Sequence, residues 1–233
     1  ATGFSNSLTF SGNTITNLLT NSGNVSISNG QAGTCGINLS VGTNGTITGN
    51  MITNLSNTNT GLVSSYVVGI SLGNATNTSV SNNQVYNLSN ASTATSTTAP
   101  GIISGIVIRS GTTAVTIFNN MISLGTGQTT NTAIIGIMGN HGSTPDPIDR
   151  IYHNTINITG TVTAGAQPSF GIARTDFSAT ARVAVMDVKN NIVTNTRTGG
   201  TGVHGAIANN YGAVTSSATG WSANASNNNV LNA

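Results

Sequence analysis

The chain reads as an all-β protein, one column of short parallel strands coiled on one another, and three observations predict it. An asparagine two residues before an aliphatic one recurs along the chain. A glycine immediately before an aliphatic residue recurs in step with it. Around these markers apolar residues alternate with Thr and Ser, a period of two rather than 3.6.

The first marker is Asn13, Asn50, Asn83, Asn120, Asn154, Asn191 and Asn228, with spacings of 37, 33, 37, 34, 37 and 37 residues. Its aliphatic partners are Ile15, Ile52, Val85, Ile122, Ile156, Val193 and Val230. Three residues before each asparagine stands Phe10, Ile47, Val80, Ile117, Ile151, Val188 or Ala225. The second marker is Gly36, Gly69, Gly105, Gly136, Gly171 and Gly205, followed by Ile37, Ile70, Ile106, Ile137, Ile172 and Ala206. The segments are β-branched, short and bounded by Gly and Asn, which is how strands read; no segment carries a helical stripe.

Each repeat of roughly 36 residues therefore supplies three strands: one ending before the asparagine, one carrying Asn-x-Ile and one carrying Gly-Ile. A single repeat cannot bury its own apolar row, so about seven rungs must stack roughly 4.8 Å apart in a single domain spanning 1–233. The asparagine is expected at the corner between two strands, because Asn tolerates left-handed backbone geometry. The residue before it (Gly12, Gly49, Asn82, Asn119, His153, Asn190, Asn227) fits the same corner. Stacked in register, the amides would bond rung to rung as a structural ladder.

The stretches "VSNNQVYNL", "IFNNMISL" and "VKNNIVTN", alternating with "GISL" and "GIVI", resemble right-handed parallel β-helix repeats of the pectate-lyase-like superfamily over nearly the whole chain. The Asn/Thr/Ser/Gly surface and scarce charge more closely resemble repeat regions of giant secreted or cell-surface proteins of Bacteroidota. That resemblance implies a right-handed parallel β-helix serving outside the cell as an adhesive stalk, fibre or filament.

Composition narrows the function classes. Charged residues make up 4% of the chain, far below the roughly 25% of an ordinary domain. Residues 1–108 contain no Asp, Glu, Lys, Arg or His, and all four acids are aspartates. The net charge of +2 forms no basic patch, which argues against a nucleic-acid partner. Cys35, the sole cysteine, excludes an intrachain disulfide and is expected to be a buried, inert thiol. Apolar runs such as "GIISGIVI" fall far short of the ~20 residues that cross a bilayer, so no membrane insertion is expected.

Some members of the resembled superfamily cleave acidic polysaccharides, using calcium-binding acids and a basic residue or opposed carboxylates. Here Asp187 lies four residues before its asparagine and Asp149 five before its own, so strand alternation sends them to opposite faces. An ion pair between Arg150 and Asp187 on adjacent turns is the expected role for the latter. His141, His153 and His204 are scattered and form no metal site, and no cofactor is expected. The chain is therefore read as non-enzymatic. Phe118, Tyr152 and Lys189 share one outward position on successive turns, a possible surface-binding strip for sugars such as cell-surface glycans; a carbohydrate-binding or carbohydrate-cleaving β-helix is the alternative reading. The outward pairs Thr9/Ser11, Thr46/Thr48 and Ser79/Ser81 start a flat hydroxyl rank of the ice-binding type, but Phe118, Arg150 and Tyr152 break it.

Loops that could carry binding are 19–34, 56–64, 89–100, 139–147 and 211–224, with 88–100 low in complexity and flexible in character. The chain opens at Ala1 without a signal-peptide pattern, which reads as a processed or excised segment of a longer fibre or surface protein. Further turns, from the same chain or another copy, are expected at the solenoid ends. Because the first half carries no charge, circular dichroism is expected to hold constant from about pH 4 to about pH 9; loss of β signal in that window would contradict the reading.

Overall fold

The computed structural model describes residues 7–23, 33–40, 42–62, 64–96, 100–109, 112, 114–140, 148–176, 185–212 and 221–233. Much of the loops 19–34, 139–147 and 211–224, with His141 and Asp146, lies outside the described residues. Among those described, every regular element is a β-strand, and no helix is long and apolar enough to cross a membrane.

Three parallel sheets wall the column. The first sheet orders Thr9–Ser11, Thr46–Thr48, Ser79–Ser81, Thr116–Phe118, Ile148–Tyr152, Val185–Lys189 and Trp221–Asn227. The second orders Thr14–Thr16, Met51–Asn57, Gln84–Asn90, Met121–Leu124, Thr155–Ile158, Ile192–Asn195 and Val230–Asn232. The third orders Thr34–Leu39, Ser65–Leu72, Gly101–Arg109, Thr132–Asn140, Ser169–Asp176 and His204–Gly212. Every strand pairs with its copies one repeat away, so the coil itself returns the chain to the same sheet and no crossover helix is needed. The first sheet has seven strands, the second eight, because Leu19–Thr20 also pairs with Met51–Asn57, and the third six, so the number of closed coils falls slightly short of the seven expected.

Register places each aliphatic marker in an interior file. Phe10, Ile47, Val80, Ile117, Ile151 and Val188 stack in the first sheet. Ile15, Ile52, Val85, Ile122, Ile156 and Val193 stack in the second. Ile37, Ile70, Ile106, Ile137, Ile172 and Ile207 stack in the third. The middle members are fully buried and form one continuous cluster. Each such side chain contributes about 1.5–3 kcal/mol relative to exposure.

The marker glycines have a packing reason. A Cβ on Gly105 would lie 2.7 Å from the carbonyl oxygen of Gly136 and 2.7 Å from Ile122 Cγ2. Gly36, Gly69 and Gly136 meet the same pair of obstacles, the next rung's backbone and the second sheet's aliphatic file. In the last strand the file slips: Gly205 pairs with Phe170, and Ile207, not Ala206, continues the interior file. Ala206 then stands in step with Gly171, where no described rung stacks its carbonyl over the methyl group.

The first sheet slips at the same end. Val188 pairs with Ser226 rather than Ala225, and Leu231 rather than Val230 pairs with Val193. The pairs Met186–Trp221 and Val188–Ser226 bracket the irregularity that absorbs the extra residues.

Two features depart from the sequence reading. Strands of the third sheet such as Ser65–Leu72 and Gly101–Arg109 are buried on both faces. A second cluster of Tyr66, Val68, Ile102, Val107, Ala133, Ile135, Met138, Phe170 and Ala173 covers the outward side, which explains why these strands read as unbroken apolar runs. The stretch 88–96, read as flexible, is packed: Asn90, Ser92 and Ala94 are buried, and Ala91 and Thr93 donate backbone bonds to Asn57 and Gly61 of the loop before. Cys35 is half-buried, and desolvation pushes its thiol up to about 12 despite the opposing charge of Arg109, so it carries almost no thiolate at neutral pH.

Gly105→Ala is expected to lower stability by about 1–3 kcal/mol in urea unfolding, because a backbone carbonyl as well as the packed Ile122 side chain blocks the methyl group. Gly127→Ala, where nothing lies within 4 Å of the added carbon, is expected to cost only the left-handed strain of about 1 kcal/mol.

Candidate functional site

Seven asparagines form a single file at the corner between the first and second sheets. The Nδ2 groups of Asn13, Asn50, Asn83, Asn120, Asn154 and Asn191 donate to the Oδ1 of the next rung at 2.8, 2.8, 2.9, 2.9, 3.0 and 3.0 Å. The same Oδ1 atoms accept the backbone N–H of the rung before, at 2.9–3.1 Å. A second Nδ2 hydrogen reaches back to the previous rung, as from Asn83 to Ile47 O and from Asn120 to Val80 O, both at 3.0 Å. Two acceptor sites and two donors are thus all used, which is what a buried amide requires. The five central asparagines are at most 1% exposed.

Two details of the expectation are corrected. The seventh rung is Asn229, not Asn228: Asn191 donates to Asn229 Oδ1, and Asn229 Nδ2 donates to Val188 O at 2.9 Å. Asn228 instead has φ 53°. The left-handed residue is also the one before each ladder asparagine: Gly12, Gly49, Asn82, Asn119, His153, Asn190 and Asn228 have φ between 53° and 66°. The two jobs are separated. The left-handed residue turns the chain, which leaves the next residue free to aim its amide along the column. His153 holds this position at φ 56°, so its role is a corner rather than a ligand.

A second left-handed column was not foreseen. Asn17, Asn54 and Asn87 have φ of 60°, 56° and 55° and line a surface groove of about 420 Å³ with Leu19 and Ser56. Asn87 Nδ2 donates to Asn54 Oδ1, and Asn54 Nδ2 to Thr16 Oγ1 at 3.2 Å. The extra turn residue lets Ile52 and Leu55, and Val85 and Leu88, point inward three residues apart. In later rungs the inward pairs, Ile122/Leu124 and Ile156/Ile158, are two apart. The recurring "ITNL", "ITNL" and "VYNL" carried the signal.

Phe118, Tyr152 and Lys189 stand in direct register on the outward side of the first sheet. Tyr152 Oη donates to Asp187 Oδ2, and Lys189 Nζ lies 2.9 Å from Asp187 Oδ1. Arg150 and Asp187 do face each other in register, but the close ion pair of Asp187 is with Lys189, two residues along on the same face of its own strand. Burial opposes ionisation of Asp187, yet the hydrogen bonds from Tyr152 and Lys189 and the charges of Lys189 and Arg150 outweigh it, and its carboxyl is held below the ordinary range. Burial and the bond to Asp187 together push the Tyr152 phenol up to about 12. The polar ends of the strip are therefore engaged with one another, and the ring faces of Phe118 and Tyr152 are what it offers to a ligand.

Asp149 points to the opposite side: it pairs with Met186 and is 0% exposed, so the two carboxylates do not converge. No group of three metal-ligating side chains occurs among the described residues. His204 Nδ1 lies 2.9 Å from Ser169 Oγ, which also receives Asn195 Nδ2 at 3.0 Å. Ser169 is 0% exposed; its contact with His204 lies within the third sheet, and the bond from Asn195 fastens that sheet to the second. Arg197 works nearby, donating to Thr132 O at 2.7 Å, with burial pushing its pKa down to about 10.

Comparison with known proteins returns no match among family models, curated proteins or solved structures.

Asn120→Ala leaves the N–H of Asn83 without its acceptor and removes one bond each from Asn83 Nδ2 and the Val80 carbonyl, and is expected to cost about 2–3 kcal/mol in chemical unfolding. Asn13→Ala at the exposed end of the file should cost under about 1 kcal/mol. In an absorbance titration Tyr152 should ionise with a midpoint of about 12, and Asp187→Asn should move that midpoint down. The sign follows from the shifts. The raised phenol stabilises the fold below its ordinary pKa and loses that contribution as pH rises through about 12; the depressed carboxyl contributes above its ordinary pKa and loses it as pH falls through the lowered value.

Proposed function

We propose that this chain is a non-enzymatic structural and adhesive β-solenoid, a stiff stalk or fibre element at the cell surface or outside the cell. The observation that carries the reading is the unbroken amide file, which ties every rung to the next through side-chain as well as backbone bonds. A column braced in this way resists shear between rungs, because sliding one rung breaks several buried bonds together. Its low charge leaves it little affected by salt. The resemblance to right-handed helices of the pectate-lyase-like superfamily, and to repeat regions of large surface proteins of Bacteroidota, belongs to this proposal.

A second reading, carbohydrate binding or cleavage, is favoured by one observation, the aligned rings of Phe118 and Tyr152 beside Lys189. Stacking on such rings suits the apolar faces of sugars.

Pulling single chains between handles should give one high-force unfolding event, lowered by Asn120→Ala. Stepwise yielding at low force would count against a stiff rod. A glycan array and a uronic-acid lyase assay separate the readings: turnover of polysaccharide would overturn the non-enzymatic one, while glycan capture lost in Tyr152→Ala would identify the strip as the adhesive face.

A further inference from the structure

We propose that the outward face of the second sheet binds a neutral, extended glycan, seated on Tyr86 and Met121. The proposal rests on the adhesive reading of the column and adds the face, the ligand class and the ligand's direction. It is a different site from the strip of Phe118 and Tyr152 on the first sheet.

Register stacks the outward side chains of this sheet in two files. One runs Met51, Gln84, Met121, Thr155 and Ile192; the other runs Tyr86, Ser123, Asn157 and Thr194. Met121 is 59% exposed, Ile192 50% and Tyr86 37%. The fold asks only for a strand former at these places, which Thr would satisfy. Gln84, Tyr86, Met121, Ser123, Thr155 and Asn157 line an open groove of about 170 Å³ that crosses three rungs. Tyr86 Oη donates to Met51 Sδ at 3.4 Å, which tethers the ring. The polar groups at the rim are uncommitted. Elsewhere on the surface, polar side chains one rung apart bond to each other, as Asn87 and Asn54 do, and Thr48 and Ser81. Among the described residues, the side chains of Gln84, Ser123, Thr155 and Asn157 make no hydrogen bond. Met121 stands between Gln84 and Thr155 in their file and interrupts the rank.

Two amides and two hydroxyls around an aromatic ring and a thioether suit a sugar, whose hydroxyls need both donors and acceptors and whose C–H faces stack on rings. Charge narrows the class. No strand of the second sheet contains Asp, Glu, Lys, Arg or His, so the face holds no cation for a uronate, sulfate or phosphate group. The three strands that carry the groove are paired on both edges, which leaves no open backbone edge for a peptide strand. The groove is smaller than the roughly 300–1,000 Å³ of a drug-sized pocket, so it takes one ring of a longer chain and the rest lies along the files. Met51, Met121 and Ile192 stand two rungs apart, roughly 10 Å, close to the length of two sugar rings in an extended β-linked chain. Such a chain turns the same face to its support at every second ring, so the ligand runs along the column.

Calorimetric titration of the 233-residue chain with cellohexaose, xylohexaose, mannohexaose and polygalacturonate tests the proposal. At least one of the three neutral oligosaccharides should bind, with an affinity unchanged by high salt, and polygalacturonate should not. Tyr86→Ala should weaken binding about tenfold or more and Asn157→Ala about threefold or more. Tyr86→Trp should keep it, and Tyr152→Ala should leave it unchanged. Where Tyr86→Ala melts early, Met121→Thr reads the same face with a residue that suits a strand. Binding of none of the neutral probes would overturn the proposal, and so would tighter, salt-sensitive binding of polygalacturonate. Self-association abolished by Tyr86→Ala would assign the face to a second copy and overturn it too. Binding that persists in Tyr86→Ala and disappears in Tyr152→Ala would overturn this face while leaving the adhesive reading in place. Single-chain pulling reads stiffness without any ligand, so the rod reading and the glycan face can fail separately.

Discussion

The amide file along the corner of the first and second sheets is the constraint to which the rest of the column conforms. A buried asparagine is tolerated only when both donors and the acceptor oxygen are engaged, and here the partners come from the rungs on either side. That requirement fixes the height of each rung, the left-handed residue before the corner and the phase of the strands that flank it. Repeat lengths change from 33 to 37 residues without disturbing the file, because the changes are absorbed in loops away from this corner. Aliphatic burial supplies most of the stabilising free energy. It does so with little regard to register, since one Ile stacks on Val about as well as on Ile. The amides supply the register.

The third sheet meets the file's demands from across the interior. Its glycine column lets the backbone approach the second sheet's aliphatic files closely, and a methyl group there would strike a carbonyl oxygen of the next rung. The sheet is buried on its outward side too, so its strands have no solvent face on which to alternate. Polar residues at its entrance, Ser65 with Asn90 and Ser169 with Asn195, close backbone bonds where the loops enter. The same solution, a buried amide satisfied by main-chain carbonyls, recurs at Asn90 and Asn195.

Charge is confined in the same spirit. The close ion pair of Lys189 with Asp187 is outward on the first sheet and is joined by the Tyr152 hydroxyl. Asp149, only two residues before the same file in the preceding rung, is turned inward by strand alternation. Two carboxylates that are near in the coil are thereby kept on different sides of a wall, which separates this arrangement from opposed acids acting on one bond.

The amino-acid sequence determined the period, the asparagine file, the three interior aliphatic files and the outward alignment of Phe118, Tyr152 and Lys189. It could do so because parallel in-register stacking makes residues one repeat apart neighbours in space, so a linear regularity is already a map of contacts. Tertiary structure decided between Asn228 and Asn229, and between Ala206 and Ile207, since the last rung has a described neighbour on one side only and a slip of one residue leaves the earlier pattern intact. It decided which residue of each corner is left-handed, because Asn suits both positions. It also decided that Asp187 pairs with Lys189 rather than Arg150, that the middle strands of the third sheet are buried on both faces, and that Leu88, Asn90, Ser92 and Ala94 are buried. Those outcomes depend on side-chain reach and on packing between segments that do not repeat, and periodicity carries no information about either.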